Sequence, residues 1–355
     1  CPCALSLATP AAMLASAGAL ARGGVLVRRL SALEALARAA TVVFDKTGTL
    51  TRDAFVLERI ALRPGADRAQ TLAWAAALAR SSLHPLSRAL AQAPEMQDAR
   101  AEAVRVTAEQ SGAGVMGAVA GGAEIRLGSV TFTGAGDHAE PGLAVYLADQ
   151  AGWLATFCLK EDVRADAAET VARLRGQGMR VCVYSGDRPE AAARLGQALG
   201  VDESRGGLSP DDKLATLRVL QAAGHRVAMV GDGLNDAPVL AGADVSFAFG
   251  RAVPIARSRS DFVVLTKQLL TVADTLAQAR RTLRIVRQNL AWAAVYNLVA
   301  VPLAIAGYMP AWAAGFGMAA SSLLVVLNAL RLAGKARPIP NKPVGIDSPT
   351  AKKVA

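Results

Sequence analysis

Cysteine, histidine and aromatic residues are scarce in this chain of 355 residues: it has four Cys and three His, and Phe, Trp and Tyr together make up 5%. Four cysteines without a disulfide-like framework are typical of a protein that faces a reducing compartment. Cys158 and Cys182 lie in apolar, strand-like runs and are expected in the core. The chain also lacks an internal repeat. A disulfide-stabilised domain and a repeat protein are therefore disfavoured.

Charged residues are missing from two long stretches, 289–307 and 311–330, which only Tyr308-Met309-Pro310 separates. Each stretch is close to the length of about 20 apolar residues that spans a bilayer, and the hydrophobic content of 52% is high for a wholly soluble protein. We predict membrane helices at 289–307 and 311–331, a cytoplasmic helix extension at 273–288 and a disordered tail at 335–355. The alternative is a buried helical hairpin in a large soluble core.

Basic residues flank this hairpin at both outer ends: Arg280, Arg281, Arg284 and Arg287 precede it, and Arg331, Lys335 and Arg337 follow it. By the positive-inside rule, both ends are predicted to be cytoplasmic. These clusters and the tail account for much of the net charge of +10. Nucleic acid is therefore not predicted as a partner, although a basic chain can indicate one.

A third apolar segment, 1–22, lacks the Met and the basic start of a signal peptide, so we expect a transmembrane helix at the beginning of a fragment. It opens with Cys1-Pro2-Cys3. Residues two apart on a regular helix point to nearly opposite sides, but a proline unwinds the helix locally and lets both thiolates face one ion. A polar pair in a membrane helix indicates a functional site. A redox pair and buried free cysteines are the alternatives.

Asp45 follows the apolar run Val42-Val43-Phe44 and precedes Lys46-Thr47-Gly48-Thr49. A carboxylate is a weak nucleophile, so its attack on a phosphoryl group requires nearby cations and backbone N–H donors, which such a loop offers. The alternative is an ordinary turn after a strand. Polar loops also begin at Ser185 and at Gly231, each after a strand-like run. Because loops at the carboxyl ends of parallel strands share one crevice, these loops are expected to meet.

The run from Asp45 to Thr51 is identical to the phosphorylation motif of P-type ATPases, and the later motifs resemble the heavy-metal branch of that family in their order. This resemblance implies a haloacid-dehalogenase-like, Rossmann-like α/β phosphorylation domain at 23–51 and 158–272. It also implies an inserted α+β nucleotide-binding domain at 52–157, together with transmembrane helices.

By resemblance, Asp45 is the phosphorylated nucleophile, Thr47 and Ser185 contact the phosphoryl group, and Lys213 neutralises its charge. Mg²⁺ would be held by Asp45, Thr47 and Asp232. The rest of the implied catalytic set is Lys46, Gly186, Asp187, Asn235 and Asp236.

The nucleotide site implied by the resemblance binds ATP through a Ser-x-His-Pro motif and a Gly-x-Gly motif. The residues in this chain are His84, Pro85, Glu109, Gly112 and Gly114. One position departs from the family pattern, because Ala79 stands where an acidic residue usually lies five positions before the histidine. This departure leaves open which residues would contact the adenine.

The transported ion is predicted from ligand chemistry and from resemblance together. Thiolates select soft ions such as Cu(I) or Zn²⁺, and the two C-terminal spans offer no carboxylate to a divalent ion. Their polar residues resemble the Cu(I) branch, with Tyr-Asn in one span and Met-x-x-Ser-Ser in the other. The predicted ligands are Cys1, Cys3, Tyr296, Asn297, Met318, Ser321 and Ser322. Ordinary helix packing or an interfacial position is the alternative for each of the serines and for Tyr296.

The resulting hypothesis is ATP-driven export of Cu(I) or Ag(I), delivered by a soluble copper chaperone, across a bacterial-type inner membrane. The chain lacks the Thr-Gly-Glu triplet of an actuator domain, so we expect it to form the phosphoenzyme but to turn over poorly. The rivals are a Zn(II)- or Cd(II)-exporting ATPase, a haloacid-dehalogenase-type phosphatase and a non-enzymatic metal-binding membrane protein. Thr47 argues against the phosphatase, which would carry a second aspartate there.

Overall fold

Strand-like runs rich in Val and helical segments rich in Ala and Leu alternate along the chain, and this alternation favours an α/β fold. The computed structural model describes residues 3–97, 104–232, 236–249 and 260–335. The strands are β1 Val25–Val27, β2 Thr41–Asp45, β3 Thr51–Leu62, β4 Arg105–Gln110, β5 Gly114–Ala118, β6 Glu124–Gly128, β7 Leu143–Asp149, β8 Gly152–Val163, β9 Arg180–Tyr184, β10 Glu203–Arg205, β11 Val227–Gly231, β12 Val245–Phe249 and β13 Phe262–Val264. The helices are α1 Cys3–Arg22, α2 Ser31–Ala37, α3 Arg68–Arg80, α4 Pro85–Gln92, α5 Pro94–Gln97, α6 Val130–Thr133, α7 Ala167–Gly176, α8 Pro189–Leu199, α9 Pro210–Ala222, α10 Ala237–Gly242, α11 Leu270–Ile305 and α12 Ala311–Leu330.

The chain divides into two compact units. The first, the discontinuous unit, comprises Cys1–Leu50 and Ala165–Ala355, and the second, the inserted unit, comprises Thr51–Arg164. This division matches the expected haloacid-dehalogenase-like architecture, in which a second domain interrupts the sheet-forming domain.

The discontinuous unit is built on a sheet with strand order β1-β13-β12-β11-β2-β9-β10. The described strands pair in parallel except β1, which is antiparallel to β13. Every residue of β2, β11 and β12 is buried, as expected for parallel strands that are covered on both faces. One core cluster joins Val43, Cys182 and Met229 from three neighbouring strands to Leu217 of α9. The predicted fold class is confirmed.

Three helices of this unit, α1, α11 and α12, are long and apolar enough to cross a membrane. Small residues let them approach closely: Ala4, Ala8 and Ala293 form a buried cluster with Val325. The predicted cytoplasmic extension and the first C-terminal span belong to one continuous helix, because α11 runs for 36 residues without interruption.

The inserted unit contains an antiparallel sheet of order β3-β8-β7-β6-β5-β4. Residues from α3, α4 and α5 pack with strand residues such as Phe157 in one core. The predicted end of this unit at Phe157 is too early, because β8 continues and pairs Val163 with Thr51 of β3. Of the two cysteines expected in the core, Cys182 is buried but Cys158 is only partly buried, since it lies in β8 beside the exposed Arg59.

The position of this boundary predicts how fragments of the inserted unit behave. A fragment 51–164 should unfold cooperatively, whereas a fragment 51–157 loses the buried Leu159 and the ladder that pairs the first half of β3. We expect a loss of at least about 2–5 kcal/mol in the free energy of unfolding, the cost of removing one large buried side chain. Urea titration followed by circular dichroism measures it. Equal midpoints for the two fragments would contradict the boundary.

Candidate active site

Asp45 lies at the carboxyl end of β2, inside the parallel sheet, and only 7% of it is exposed. In register, Asp45 is beside Tyr184 at the end of β9, and Phe44 is beside Val230 on β11. The loops that begin at Ser185 and Asp232 therefore lie on either side of Asp45. The structure brings together the three motifs that the sequence separates.

Helix α9 supplies the ammonium group that contacts Asp45. Ser209 directly precedes this helix, and its side chain caps the first turn and exchanges hydrogen bonds with Asp212. One residue later, Lys213 Nζ lies 2.8 Å from Asp45 Oδ1 and 2.7 Å from Asp236 Oδ2. All three side chains are buried. We call Asp45, Lys213 and Asp236 the Lys213 triad.

The Lys213 triad holds two carboxylates but one ammonium group, so it carries excess negative charge. Burial raises the pKa of Asp45 to about 7, with the charge of Asp236 adding to the effect and Lys213 opposing it. Burial by itself lowers the pKa of Lys213, but its contacts with Asp45 and Asp236 exceed that effect and leave the pKa above its ordinary value. Lys213 therefore stays protonated, and a further cation beside Asp45 would relieve the excess charge.

The residues around the Lys213 triad fit a magnesium ion. Asp236 Oδ1 is buried without a hydrogen-bond partner among the described residues. Gly48 has a φ of +71°, and a Cβ at that position would lie 2.5 Å from Asp232 Oδ2. Only glycine thus lets the Asp232 carboxylate lie against the loop that follows Asp45. Carboxylate oxygens are preferred ligands of Mg²⁺, which usually takes one or two from the protein and its remaining ligands from water and phosphate.

Lys46 is buried and forms an ion pair with Asp187. Ser185 Oγ accepts a hydrogen bond of 3.1 Å from the backbone N–H of Asp187. The ion pair joins the loop after β2 to the Ser185-Gly186-Asp187 loop after β9, and the hydrogen bond lies within the second loop. The ammonium group at the carboxylate of Asp45 is that of Lys213, whereas Lys46 ties the two loops together. Thr47 is exposed in the same loop, and Asn235 lies outside the described residues.

The inserted unit contains a cavity of about 260 Å³. Four of the five predicted nucleotide residues line it: His84, Glu109, Gly112 and Gly114. Pro85 instead begins α4 directly after His84. Ala79 is fully buried in α3 and packs in the core of this unit.

Ser82 was not among the predicted site residues, yet it connects the polar groups of this cavity. Its Oγ donates a hydrogen bond of 2.7 Å to Glu109 Oε1 and accepts one of 3.2 Å from the backbone N–H of His84. The signal was present, since Ser82 is the first residue of the Ser-x-His-Pro motif. Gly128 and Ser129 also line the cavity, and no motif in the sequence indicated them.

Two of the predicted membrane ligands lie at the contact between α11 and α12. The Tyr296 hydroxyl lies so close to Gly317 that a Cβ there would be 2.7 Å away. Ser321 is 2% exposed and accepts a 3.2 Å hydrogen bond from Trp292 Nε1, a partner that the sequence did not indicate.

The other predicted membrane ligands are more scattered. Asn297 donates to Ala293 on its own helix, Met318 is 38% exposed, and Ser322 is half-buried. Cys1 and the side chain of Cys3 lie outside the described residues.

Curated relatives match nearly the whole chain. The copper-exporting P-type ATPase of Mycobacterium tuberculosis (strain ATCC 25618 / H37Rv) is 37% identical over 344 residues, which cover 94% of this chain and 44% of the relative. The nitrogen fixation protein FixI of Rhizobium leguminosarum bv. viciae is 41% identical over 341 residues, with the same coverage of 94% and 44%. The chain thus spans less than half the length of these relatives.

A solved structure is also similar over nearly the whole chain. The crystal structure of a zinc-transporting PIB-type ATPase in the E2.Pi state superposes with a TM-score of 0.85 at 30% identity, covering 94% of this chain and 56% of that one. The similarity therefore extends over both compact units and the three apolar helices.

Replacing Lys213 tests the charge balance of the triad. Lys213→Met leaves two buried carboxylates without their counter-charge, and we expect the free energy of unfolding to fall by about 3–5 kcal/mol at pH 8. A carboxyl group whose pKa is raised on folding stabilises the fold at low pH and loses that contribution as the pH rises through the folded-state pKa, here about 7. The loss should therefore shrink as the pH falls from 8 to 5.

The measurement is thermal unfolding in detergent with EDTA, followed by circular dichroism at both pH values. Lys160→Met is the control, because it removes only an exposed ion pair with Glu58, for which we expect less than about 1 kcal/mol. If Lys213→Met lowers the free energy of unfolding equally at pH 5 and pH 8, the proposed charge balance of the triad is wrong.

A family model covers the sheet that carries the Lys213 triad. The haloacid dehalogenase-like hydrolase model matches residues 39–244, more than half of the chain, and this region includes Asp45, Lys213 and Asp236. The chain therefore belongs to the haloacid dehalogenase-like hydrolase family, and within it the chain resembles the heavy-metal P-type ATPases.

Proposed function

We propose that this chain is the catalytic and ion-binding part of an ATP-driven Cu(I) exporter that forms an aspartyl-phosphate at Asp45. The observation that carries the proposal is the Lys213 triad, in which a buried ammonium group contacts the carboxylate that would be phosphorylated. A protein that only binds metal would have no use for this arrangement. The export of Ag(I) and the delivery of the ion by a soluble chaperone belong to the same proposal.

The phosphorylation step follows from the geometry of the Lys213 triad. Lys213 holds Asp45 Oδ1, so Oδ2 is the oxygen that attacks the γ-phosphorus of ATP. A new O–P bond forms while the bond from that phosphorus to the bridging oxygen breaks, and ADP leaves with the electron pair. Lys213 stays protonated and offsets the charge that accumulates near Asp45. Mg²⁺ held by Asp45 and Asp232 would supply positive charge to the phosphoryl oxygens.

Thr47 favours an intermediate that persists. It occupies the position two residues after the nucleophile, where a phosphatase of this superfamily would carry a second aspartate as general acid. A threonine hydroxyl cannot take that role at neutral pH. The phosphoryl group would therefore stay on Asp45 long enough to drive a conformational change.

The cavity of the inserted unit is the proposed ATP site. His84 Nδ1 accepts a 3.3 Å hydrogen bond from the backbone N–H of Leu86, so the neutral imidazole carries its proton on Nε2 and can donate it. Glu109, oriented by Ser82, offers an acceptor for an amino group. A donor and an acceptor in a largely apolar cavity suit the edge of a purine base.

Chemistry of the spans favours Cu(I) over a divalent ion. The sequence contains no Asp or Glu from residue 275 to residue 346, so α12 and the apolar part of α11 offer neutral donors only. Two thiolates from Cys1 and Cys3 with a thioether from Met318 form a soft ligand set of the kind that selects Cu(I). The zinc-transporting ATPase described above makes Zn²⁺ the rival ion. By the positive-inside rule, the inserted unit and the sheet of the discontinuous unit would face the cytoplasm of a bacterial-type inner membrane.

Removing the Ser82 hydroxyl tests the nucleotide site. Ser82→Ala releases Glu109 and the His84 backbone together, and we expect the Kd for ATP to rise about five- to tenfold, the effect of losing one typical hydrogen bond. Isothermal titration of the chain with Mg-ATP measures the Kd. Ser81→Ala is the matched control, because that hydroxyl binds Leu78 of the same helix and does not line the cavity. Equal Kd values for the two variants would place ATP elsewhere.

The ion is tested by activation of phosphorylation in detergent micelles. Cu(I) or Ag(I) should increase the incorporation of label from γ-labelled ATP, and Zn²⁺ should not. Cys3→Ser should abolish the response, whereas Cys158→Ser, which removes the half-buried thiol of β8, should keep it. Stronger activation by Zn²⁺ would overturn the Cu(I) assignment in favour of zinc export.

A further inference from the structure

Five arginines lie at the end of α1, in the first half of α11 and directly after α12. We call them the arginine collar: Arg22, Arg281, Arg284, Arg287 and Arg331. Three of them converge on the end of α12, because Arg22 donates to the carbonyl of Ala333 at 2.9 Å and Arg281 donates to that of Arg331 at 2.8 Å. The collar therefore gathers charge from α1, α11 and α12 in one place.

This charge has no acidic counterpart. The sequence contains no Asp or Glu in residues 1–33 or in residues 275–346. Within the described part of the chain, no carboxylate pairs with any member of the arginine collar, whereas Arg29, Arg38 and Arg173 each pair with one. Among the described residues, the arginines of the collar thus lie next to the apolar bundle without a carboxylate partner.

Two members of the collar share a helix face with the exposed apolar side chains of α11. Arg284 and Arg287 are exposed, and positions three, four and seven residues apart fall on the same face of a helix. That face continues through Val295 and Leu298, which are 57% and 76% exposed. Arg287 precedes Trp292 by five residues, a rise of about 7.5 Å.

An occupant of this face must therefore be apolar along most of its length and anionic at one end. A phospholipid with an anionic headgroup has that shape and charge, whereas a soluble acidic protein lacks the apolar part. Flexible arginine side chains can extend to headgroup level while their stems remain on apolar surface. Clusters of basic residues next to a membrane helix attract anionic lipids.

We propose that the arginine collar, through Arg284 and Arg287 on α11, is a binding site for anionic phospholipid headgroups. The proposal depends on the three apolar helices crossing a bilayer and is independent of which ion is transported.

Trp292 provides a reporter, because it is 45% exposed and lies just beyond Arg287 on the apolar part of α11. The chain is reconstituted into phosphatidylcholine bilayers as a Trp312→Phe variant, which leaves Trp292 as the only tryptophan in the apolar helices. Brominated phosphatidylglycerol and brominated phosphatidylcholine then quench its fluorescence in separate titrations. We expect the anionic lipid to quench at several-fold lower mole fraction. Removal of each arginine should reduce this preference about fivefold, until the two lipids quench equally.

The variants separate this site from general attraction by a basic protein. Arg284→Gln/Arg287→Gln should abolish the preference, and Arg284→Lys/Arg287→Lys should keep it. Arg188→Gln/Arg194→Gln, which removes the same charge from two exposed positions, one directly before α8 and one within it, should also keep it. If the glutamine variant does not fold, the reference chain itself is titrated with NaCl, and the preference should fall toward zero near about 1 M salt, where exposed charges are screened.

Five results would overturn the proposal. Equal quenching by the two lipids in the reference chain would favour a soluble acidic partner over a lipid at the collar. A preference that survives Arg284→Gln/Arg287→Gln, or one that the α8 variant removes, would place the effect elsewhere. Loss of the preference in the presence of soluble glycerol phosphate would identify a free phosphate site instead of a lipid site. A preference that high salt leaves unchanged would rule out a charge-based site.

Discussion

The contact of the Lys213 ammonium group with Asp45 and Asp236 is the interaction on which the rest of the discontinuous unit depends. Two carboxylates cannot stay charged side by side in a buried site without a cation between them. The parallel sheet brings Asp45 to its edge, α9 brings the lysine, and the start of α10 brings Asp236. The same excess negative charge that makes Lys213 necessary would also attract a metal ion, and the contact with Lys213 holds the Asp45 carboxylate in a fixed position.

Helix α11 connects this site to the apolar bundle within the discontinuous unit. Near its start, Asp274 forms an ion pair with Arg173 of α7, and the Gln177 side chain donates to the carbonyl of Ala273 at 3.2 Å. Arg280 donates to the carbonyl of Gln177.

Farther along α11, Thr282 forms a hydrogen bond of 2.8 Å with Ser16 of α1. With 36 residues and a rise of 1.5 Å each, α11 is about 54 Å long. A shift of the segment from α7 to β9 would therefore be passed directly to the apolar helices.

Much of this architecture could be predicted from the sequence, because it depends on patterns of apolar, polar and charged residues along the chain. Apolar runs followed by polar loops placed Asp45, Ser185 and Asp232 at one sheet edge, and charge-free stretches indicated the membrane helices. What could not be predicted depends on register and side-chain packing. The end of β8 at Val163 follows from its pairing with β3. The partner of Lys46 is Asp187, 141 positions away in the chain, and nothing in its own motif indicates that pairing. Ser82 is linked to Glu109 only because the loop between α3 and α4 meets β4 at the cavity.

The central claim is that Asp45 accepts the γ-phosphate of ATP, and acid-quenched labelling of the membrane-embedded chain tests it most directly. Label from γ-labelled ATP should be stable in acid, released by hydroxylamine, absent in Asp45→Asn and retained in Asp211→Asn, which alters an exposed carboxylate two residues before Lys213. Label that persists in a folded Asp45→Asn variant, or its absence from the folded reference chain with Cu(I) present, would contradict the account.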